Sequence, residues 1–507
     1  MVMPRLGLAL PALFCFISFL PSGLQAEAPA SISLSLNQAI DIAFMNNIDI
    51  QVERENIHIS RFSYLIEAAQ FDASLSFDAR SNRTIRSSTS GIETGPSGTD
   101  QIVQENQRLS AGLHQRFRWG GDYDLNLGQS RSKASFQTLN PTINGTLIFS
   151  FTQPLLNGFG REITEVPLRI AQGQIAVSES AFQTQVMNMI LGVGNAYWDL
   201  VFQLKNLEVQ KQNRESAKQL LDSVRAKVNS GVLAPIEVLV AESGVASLGE
   251  AVLIAEKAVR DTEDQLRLLL NFPDQSLGKP PVIQPSEPPI ETEKTIDEET
   301  VLNWALAQRP ELKGNKHLLQ NQALSVKRAS DLLAPSLDLV GNVGLNGLGS
   351  DFSSETDQLT SGSFHQWEAG LVLSFPLGNR SARAALKREK AELSKTALTQ
   401  QKIAQEIANE TKEGIRRVRT DFQRIATTRR ARLLAAEKLT AGNERFHLGL
   451  ISSHDLLEFQ DDLAEAKGKE LKALTDYNKS LINLEKVTGT LLSRYRIETA
   501  EPGAPLQ

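Results

Sequence analysis

Gly449-Leu450-Ile451-Ser452-Ser453-His454-Asp455-Leu456-Leu457-Glu458 interrupts an otherwise unbroken helical pattern. Before it, from Arg380 to His447, there is no proline, and apolar residues recur at helical spacing: Ile403, Ile407, Ile415, Val418, Phe422 and Ile425. That is the stripe of an amphipathic helix. A helix of this length is a rod of roughly 100 Å. Gly449 suits the left-handed position that ends a helix. Ser452-x-x-Asp455 reads as the capping box that starts the next one, which continues to about Leu491. The pattern predicts a very long helical hairpin, 380–491, with a tight tip.

The same hairpin occurs earlier, over 162–271. Its first arm carries Leu200, Leu204, Leu207, Leu221, Val224 and Val228 as a stripe, and its tip is Gly231-Val232-Leu233-Ala234-Pro235-Ile236-Glu237-Val238-Leu239. Gly231 and Gly449 are 218 residues apart, as are Leu239 and Leu457, and Leu266 and Leu484. The chain is a tandem repeat. A stretch rich in proline, 272–295, separates a first repeat at 27–271 from a second at 296–492, and 493–507 reads as a loose tail.

Each repeat opens with a helix, at 35–69 and about 297–333, and then changes period from 3.6 to 2. Phe71, Ala73, Leu75, Phe77 and Ala79 alternate with Asp72, Ser74, Ser76, Asp78 and Arg80. Residues 81–104, rich in Ser, Thr and Gly, read as a loop. Alternation resumes through Leu109, Ala111, Leu113, Phe117 and Trp119, turns at Gly120-Gly121-Asp122, returns through Tyr123, Leu125 and Leu127, and ends in Leu147, Phe149 and Phe151 before Pro154. The second repeat has strands at 335–376, with 347–364 as a polar loop. Strands and loops take 82 residues from Asp72 to Pro154 but 41 from Pro335 to Pro376. The surplus matches an extra β-hairpin inserted at about 105–140.

Composition limits what such a chain can be. Of its 507 residues, 22% are charged, and the net charge is −6. That mild acidity disfavours nucleic acid as a partner. Residues 6–20 are apolar behind Arg5 and read as a secretory signal ending near Ala26, with Leu24 at the −3 position. The single cysteine, Cys15, lies inside that signal, which leaves no disulfide in the mature chain. No other run approaches the ~18 apolar residues of a membrane helix, so an exported protein of this kind enters a membrane through strands. About six strands with one apolar and one polar face match an outer-membrane barrel but are too few to close one. Open edges are not tolerated in lipid, so several chains must complete it. In each half the two shorter helices sum to the long one. They stack end to end beside it, with strands at one end of the rod, tips at the other and the proline-rich link at mid-height.

The order of signal, helix, strands, long hairpin, proline-rich link and the same again resembles the TolC-type outer-membrane efflux protein family. The best-matching stretches are Ala39–Ile50, Gln153-Pro154-Leu155-Leu156-Asn157-Gly158-Phe159-Gly160, and Arg445–Gln460. The resemblance implies a mainly α fold with β: long coiled α-helical hairpins and amphipathic strands, assembled as a homotrimer with one outer-membrane β-barrel continued by a periplasmic α-helical tunnel. It implies a passive channel-tunnel for efflux or type I secretion. Its partners would be outer-membrane lipid, a periplasmic adaptor (membrane fusion) protein and an inner-membrane efflux pump or ABC exporter. A periplasm-spanning coiled-coil strut or surface adhesin explains neither the duplication nor the paired hairpins. A substrate-specific porin leaves the long helices unexplained.

Neither a phosphate-binding loop nor an H-E-x-x-H motif occurs, and the six histidines are scattered. The chain reads as no enzyme, with no cofactor or metal. His447 and His454 flank the second tip and read as turn residues. Glu237, Asp455 and Glu458 are candidates for a charge filter at the tip, although carboxylates also favour any helix N-terminus. By resemblance, Asp455 and Glu458 fall where well-studied members carry acids at the periplasmic aperture. Phe446 and Ile451 stand where those members carry the Tyr and Arg of a closed-state latch, so the family's latch residues are not matched here. Trp119, Tyr123, Phe149, Phe151, Trp367 and Phe375 are candidates for interfacial aromatic belts, or for packed core.

Overall fold

The computed structural model describes residues 31–87, 101–134, 139–272 and 282–497; the signal reading at 1–26 lies outside them. In chain order the elements are β1 (Ser31–Leu34), α1 (Leu36–Asn46), α2 (Ile48–Ala69), β2 (Ser74–Ser87), β3 (Gln101–Arg116), β4 (Asp122–Ala134), β5 (Thr142–Pro154), α3 (Arg161–Thr164), α4 (Val166–Asn229), α5 (Ile236–Leu270), β6 (Val282–Pro285), α6 (Glu298–Gln308), α7 (Pro310–Asp331), β7 (Ser336–Gly349), α8 (Phe352–Thr360), β8 (His365–Ser374), α9 (Arg380–His447), α10 (Ser453–Val487) and α11 (Leu491–Arg494).

The 64 residues of α4 and the 68 of α9 make rods of about 96 and 102 Å. Both hairpin tips turn on a glycine with positive φ, 75° at Gly231 and 73° at Gly449. The helices lie side by side in one layer. In the half nearer the strands the order is α2, α4, α7, α9; in the half nearer the tips it is α5, α4, α10, α9. The stripes face inward along this layer: Ile407, Ile415, Val418 and Ile425 on α9, and Leu200, Leu221 and Val224 on α4, are buried. Where α4 crosses α10, a Cβ on Gly194 would come within 2.7 Å of Ile482 Cδ1, so any larger residue here requires Ile482 to move.

Each opening helix is broken once, where the sequence pattern predicts it continuous. At Asn47 the side-chain amide oxygen accepts from Asp49 N and Ile50 N, and its Nδ2 donates to the Leu269 carbonyl at 3.0 Å. At the matching break Arg309 precedes Pro310, which disfavours helical backbone there. Its buried guanidinium pairs with Glu311 at 2.9 Å and Glu410 at 3.0 Å. Burial works against that charge, but the two carboxylates outweigh it and hold the pKa above its ordinary value.

Six strands form one antiparallel sheet in the order β2-β3-β4-β5-β7-β8. The extra hairpin is β3–β4, joined in register from Gln104↔Ala134 to Arg116↔Asp122. The strands are longer than their alternation. β2 runs to Ser87 and β3 starts at Gln101, inside the stretch expected to be loop; 88–100 lies outside the described residues. Over 80–84 and 104–108 both faces are polar, so the period vanishes while the backbone ladder continues. The polar stretch 347–364 contains a helix, α8, started by Asp351, whose side chain accepts from Ser354 N.

Two further segments differ from the expectation. The proline-rich link contains β6, which pairs in parallel with β1. It then crosses the helices at mid-height as a strap held by two tyrosines. Tyr197 Oη donates to Leu34 O at 3.1 Å and accepts from Glu287 N. Tyr477 Oη donates to Thr292 O at 2.7 Å and accepts from Lys294 N. The tail is not loose up to Ile497: Leu491 is buried, and Leu492, Tyr495 and Ile497 pack on the core under the strap. Among the described helices, α5 alone is long and apolar enough to cross a membrane by length and composition. Glu242 and Glu250 interrupt the run enough to hide this in the sequence.

Gly194→Leu should force α4 and α10 apart at Ile482. Overpacking of this kind costs about 1–3 kcal/mol. Thermal unfolding followed by helical circular dichroism should shift down; an unchanged transition would mean that the two repeats do not pack there.

Candidate functional site

The two tips converge, and the acids singled out from the sequence divide there by role. Asp455 closes the capping box: its Oδ2 accepts from Ser452 N at 2.9 Å and Ser452 Oγ at 2.7 Å, and Ser452 Oγ accepts from Asp455 N. These bonds from the Ser452 backbone and hydroxyl hold the Asp455 carboxyl below its usual pKa. Glu237, from the first repeat, reaches across to the second. Its Oε2 accepts from Ser453 N at 3.2 Å and from the Ser453 hydroxyl. Both carboxylates therefore satisfy donors at the start of α10. Glu458 is exposed.

A cavity of about 640 Å³ opens beside Glu458, lined by Leu239, Ser243, His454, Asp461, Asp462 and Glu465 among others. Glu458, Asp461, Asp462 and Glu465 fall on one face of α10 by the three-and-four spacing of a helix. That spacing is present in the sequence among charged residues, which an apolar stripe does not reveal. Three of the four are engaged: Asp461 accepts from Asn213 Nδ2 at 2.9 Å, and Asp462 and Glu465 pair with Lys438 and Lys469, each at 2.7 Å.

The positions matching the family's latch are packed within the chain. Phe446 is buried, and Lys227 Nζ sits 4.1 Å from its ring centroid and donates to its carbonyl at 2.9 Å. Ile451 packs in the same apolar cluster as Phe446, Leu456 and Leu457. This tip is joined by Lys227 to Phe446 and by Glu237 to Ser453. His447 and His454 are exposed, and among the described residues no group of three or more His, Cys, Asp or Glu could hold a metal.

At the other end, the sheet register puts Tyr123, Phe149, Phe151 and Trp367 on one face with Leu75, Phe77, Leu113, Leu125 and Val343. Asn126, Ser150, Asn342 and Glu368 lie on the opposite face. The apolar face is bare: Phe77, Val343, Trp367 and Leu371 are exposed. Trp119 and Phe375 lie just past the helix-proximal strand ends, Trp119 stacked on Phe117 with centroids 4.3 Å apart.

Residues 122–271 and 301–490 match the family described as outer membrane efflux protein. No curated protein sequence matches the chain. Among solved structures the chain is similar to the Campylobacter jejuni CmeC outer membrane channel, with a TM-score of 0.65 and 16% identity over 95% of this chain and 94% of that one. It is similar to the outer membrane protein VceC of Vibrio cholerae at TM-score 0.65 and 15% identity, over 90% and 96%. It is also similar to the Neisseria gonorrhoeae MtrE outer membrane channel in its open state, at 0.60 and 17%, over 90% and 89%.

If the tip acids act as caps, the start of α10 should depend on them locally. Ser452→Ala should cost about 1 kcal/mol, seen as faster amide exchange at the start of α10 with the strap unaffected. Because the Asp455 pKa is lowered by folding, its contribution is present above its unfolded value, near 3.9, and is lost as pH falls through the folded one. Protection at the tip should fall below about pH 4 in the native protein and be flat with pH in Asp455→Asn. Uniform protection in all three proteins would remove the capping role.

Proposed function

We propose that this chain, which belongs to the outer membrane efflux protein family, works as a trimer in the outer membrane. Three copies would close one barrel and one continuous helical tunnel. Cargo would pass through without chemistry, delivered by an inner-membrane pump or exporter through a periplasmic adaptor.

The observation that carries this is the matching pair of open flanks. The sheet ends at β2 and β8, each with one unpaired edge. The helical layer ends at α2 and α5 on one side and α9 on the other. β2 follows α2, and β8 precedes α9, so sheet and helices are unfinished on the same two sides. Both flanks carry bare apolar residues: Ile48, Val52, Phe62 and Ile66 on α2, Leu253, Ile254 and Leu268 on α5, and Leu398, Leu433 and Leu434 on α9. A second copy applied flank to flank covers both, and rotation closes the ring.

Three is the number at which the dimensions agree with a duct. Three copies supply eighteen strands, six from each. At ~4.8 Å spacing and ~40° tilt these enclose a barrel about 36 Å across. Four helices abreast from each copy make twelve, and at 8–10 Å spacing they form a ring roughly 31–39 Å across. Barrel and tunnel then meet without a step. The extra hairpin β3–β4 is what brings the barrel to this width, and barrels of 16–18 strands leave an aqueous channel.

In this arrangement the apolar sheet face meets lipid, with Tyr123, Phe151, Trp119 and Phe375 at its tunnel-side border and Phe149 and Trp367 nearer its middle. The tips form the periplasmic aperture, where Glu237, Asp455 and Glu458 from each copy gather charge around one axis. Cations or hydration must screen such a ring.

Two measurements test this reading. Leu125→Cys and Asn126→Cys lie on opposite faces of β4, so an aqueous thiol reagent should label the second and spare the first in intact membranes; equal, full labelling of both places the hairpin outside the bilayer. In planar bilayers the native channel should prefer cations. Glu458→Gln, which removes the exposed acid without touching either cap, should reduce that preference roughly twofold. Unchanged selectivity would take the filter away and leave the acids as caps alone.

A further inference from the structure

We propose that the outward face of the sheet carries a binding groove for the phosphate headgroup of an anionic membrane lipid, centred on Arg131 and walled by Phe352. The proposal rests on reading the sheet as a membrane-spanning barrel segment.

The apolar face has a defined top. Rows of paired residues climb from Leu337 and Leu373 near the helices, through Val343, Phe149, Leu125, Leu113 and Leu75, to Gly347, Gly145, Gln129, Leu109 and Ala79. On strands rising ~3.3 Å per residue and tilted ~40°, the stretch from Leu337 to Gly347 gains roughly 25 Å, the height of a barrel's apolar band. The next row up is Gly349, Ile143, Arg131, Gln107 and Ser81. A groove of about 350 Å³ lies across this border, with Ala79, Leu109 and Gln129 below, Gln107 and Arg131 above, and Phe352 at the side.

The helix that closes one side of the groove is fixed there by a buried acid. Glu355 of α8 is 1% exposed. Its Oε2 accepts from Gln129 Nε2 at 2.8 Å, and its Oε1 lies where a Cβ on Gly145 would stand. Gly145, Gly347 and Gly349 thus leave a bare patch of outward sheet onto which α8 docks. This holds Phe352, 56% exposed, beside Arg131.

The charges favour an anion. Among the described residues Arg131 makes one hydrogen bond, a long one of 3.4 Å to Gln107 Oε1, and no ion pair. On the same face, one row further out, Lys133 is exposed, and Arg83 pairs loosely with Glu105 at 3.4 Å. Glu355 is turned to Gln129 and forms no ion pair with Arg131. A guanidinium at the upper border of an apolar band, with an aromatic ring beside it and aliphatic residues beneath, suits a lipid. The phosphate meets Arg131, the acyl chains run down over Leu109 and Ala79, and the residues beyond supply further positive charge. The end of the sheet away from the helices puts this headgroup in the outer leaflet.

The test uses the full-length protein in detergent, with diphosphorylated lipid A and its phosphate-free form as probes. Native mass spectrometry counts retained lipid, and planar-bilayer insertion is scored on the same preparations. The native protein should retain about one phosphorylated lipid per chain and at least tenfold less of the phosphate-free form. Arg131→Ala should lose at least tenfold, and Arg131→Lys should recover part of the loss; Phe352→Ala should weaken retention without changing the preference for phosphate. Millimolar inorganic phosphate should not displace the lipid. Equal retention by Arg131→Ala, no preference for phosphate, or full displacement by inorganic phosphate overturns the groove while insertion still supports the barrel. Failure of every preparation to insert overturns the membrane-spanning reading, and the groove with it.

Discussion

A strand edge in hydrocarbon has no water to satisfy its backbone, and each unpaired group costs several kcal/mol. A sheet of six strands with free edges at β2 and β8 is therefore not a finished object in a membrane. Most features of the chain fit that incompleteness. The helices continue the same unfinished layer for roughly another 100 Å, and their bare apolar residues lie on the flanks that continue the sheet's edges. The duplication builds one segment of the layer, while rotation about an axis would supply the closure that one chain lacks.

The long helices were legible in the sequence because their stripes are apolar, regular and free of proline, and the tips because glycine and Ser452-x-x-Asp455 have local causes. The breaks at Asn47 and Arg309 were not, although Ala305–Leu312 of the second repeat lines up with Ala43–Ile50 of the first. An asparagine cap in mid-pattern reads as an ordinary polar position, and the role of Arg309 depends on Glu410, about a hundred residues away. The strand ends were illegible for a different reason. Alternation reports a contrast between two faces, and over 80–84 and 104–108 that contrast is gone while the ladder runs on to Ser87 and Gln101. α8 was hidden because it docks through Glu355 onto glycines, with little apolar signal. The strap was hidden because Tyr197, Tyr477 and Asn478, whose Nδ2 donates to Ile290 O at 3.2 Å, hold it, not a periodic pattern.

The tip shows how a sequence reading can bring residues together and leave their work undivided. Glu237, Asp455 and Glu458 do gather at one end. Two of them are occupied by donors at the start of α10, which is what helix termini favour in any protein. Glu237 also ties the first repeat to the second, so the cap is at once a joint between hairpins. With Lys227 on Phe446, these bonds join the two hairpins of one chain at the tip.

The most direct test of the central claim is the number of chains in one particle extracted from outer membranes in mild detergent, measured by light scattering with the detergent contribution subtracted. The open sheet edges and the matched diameters of barrel and helical ring predict three. A stable single-chain particle that still inserts into bilayers would contradict the account, because it would mean that six strands, with both edges free, can stand in lipid.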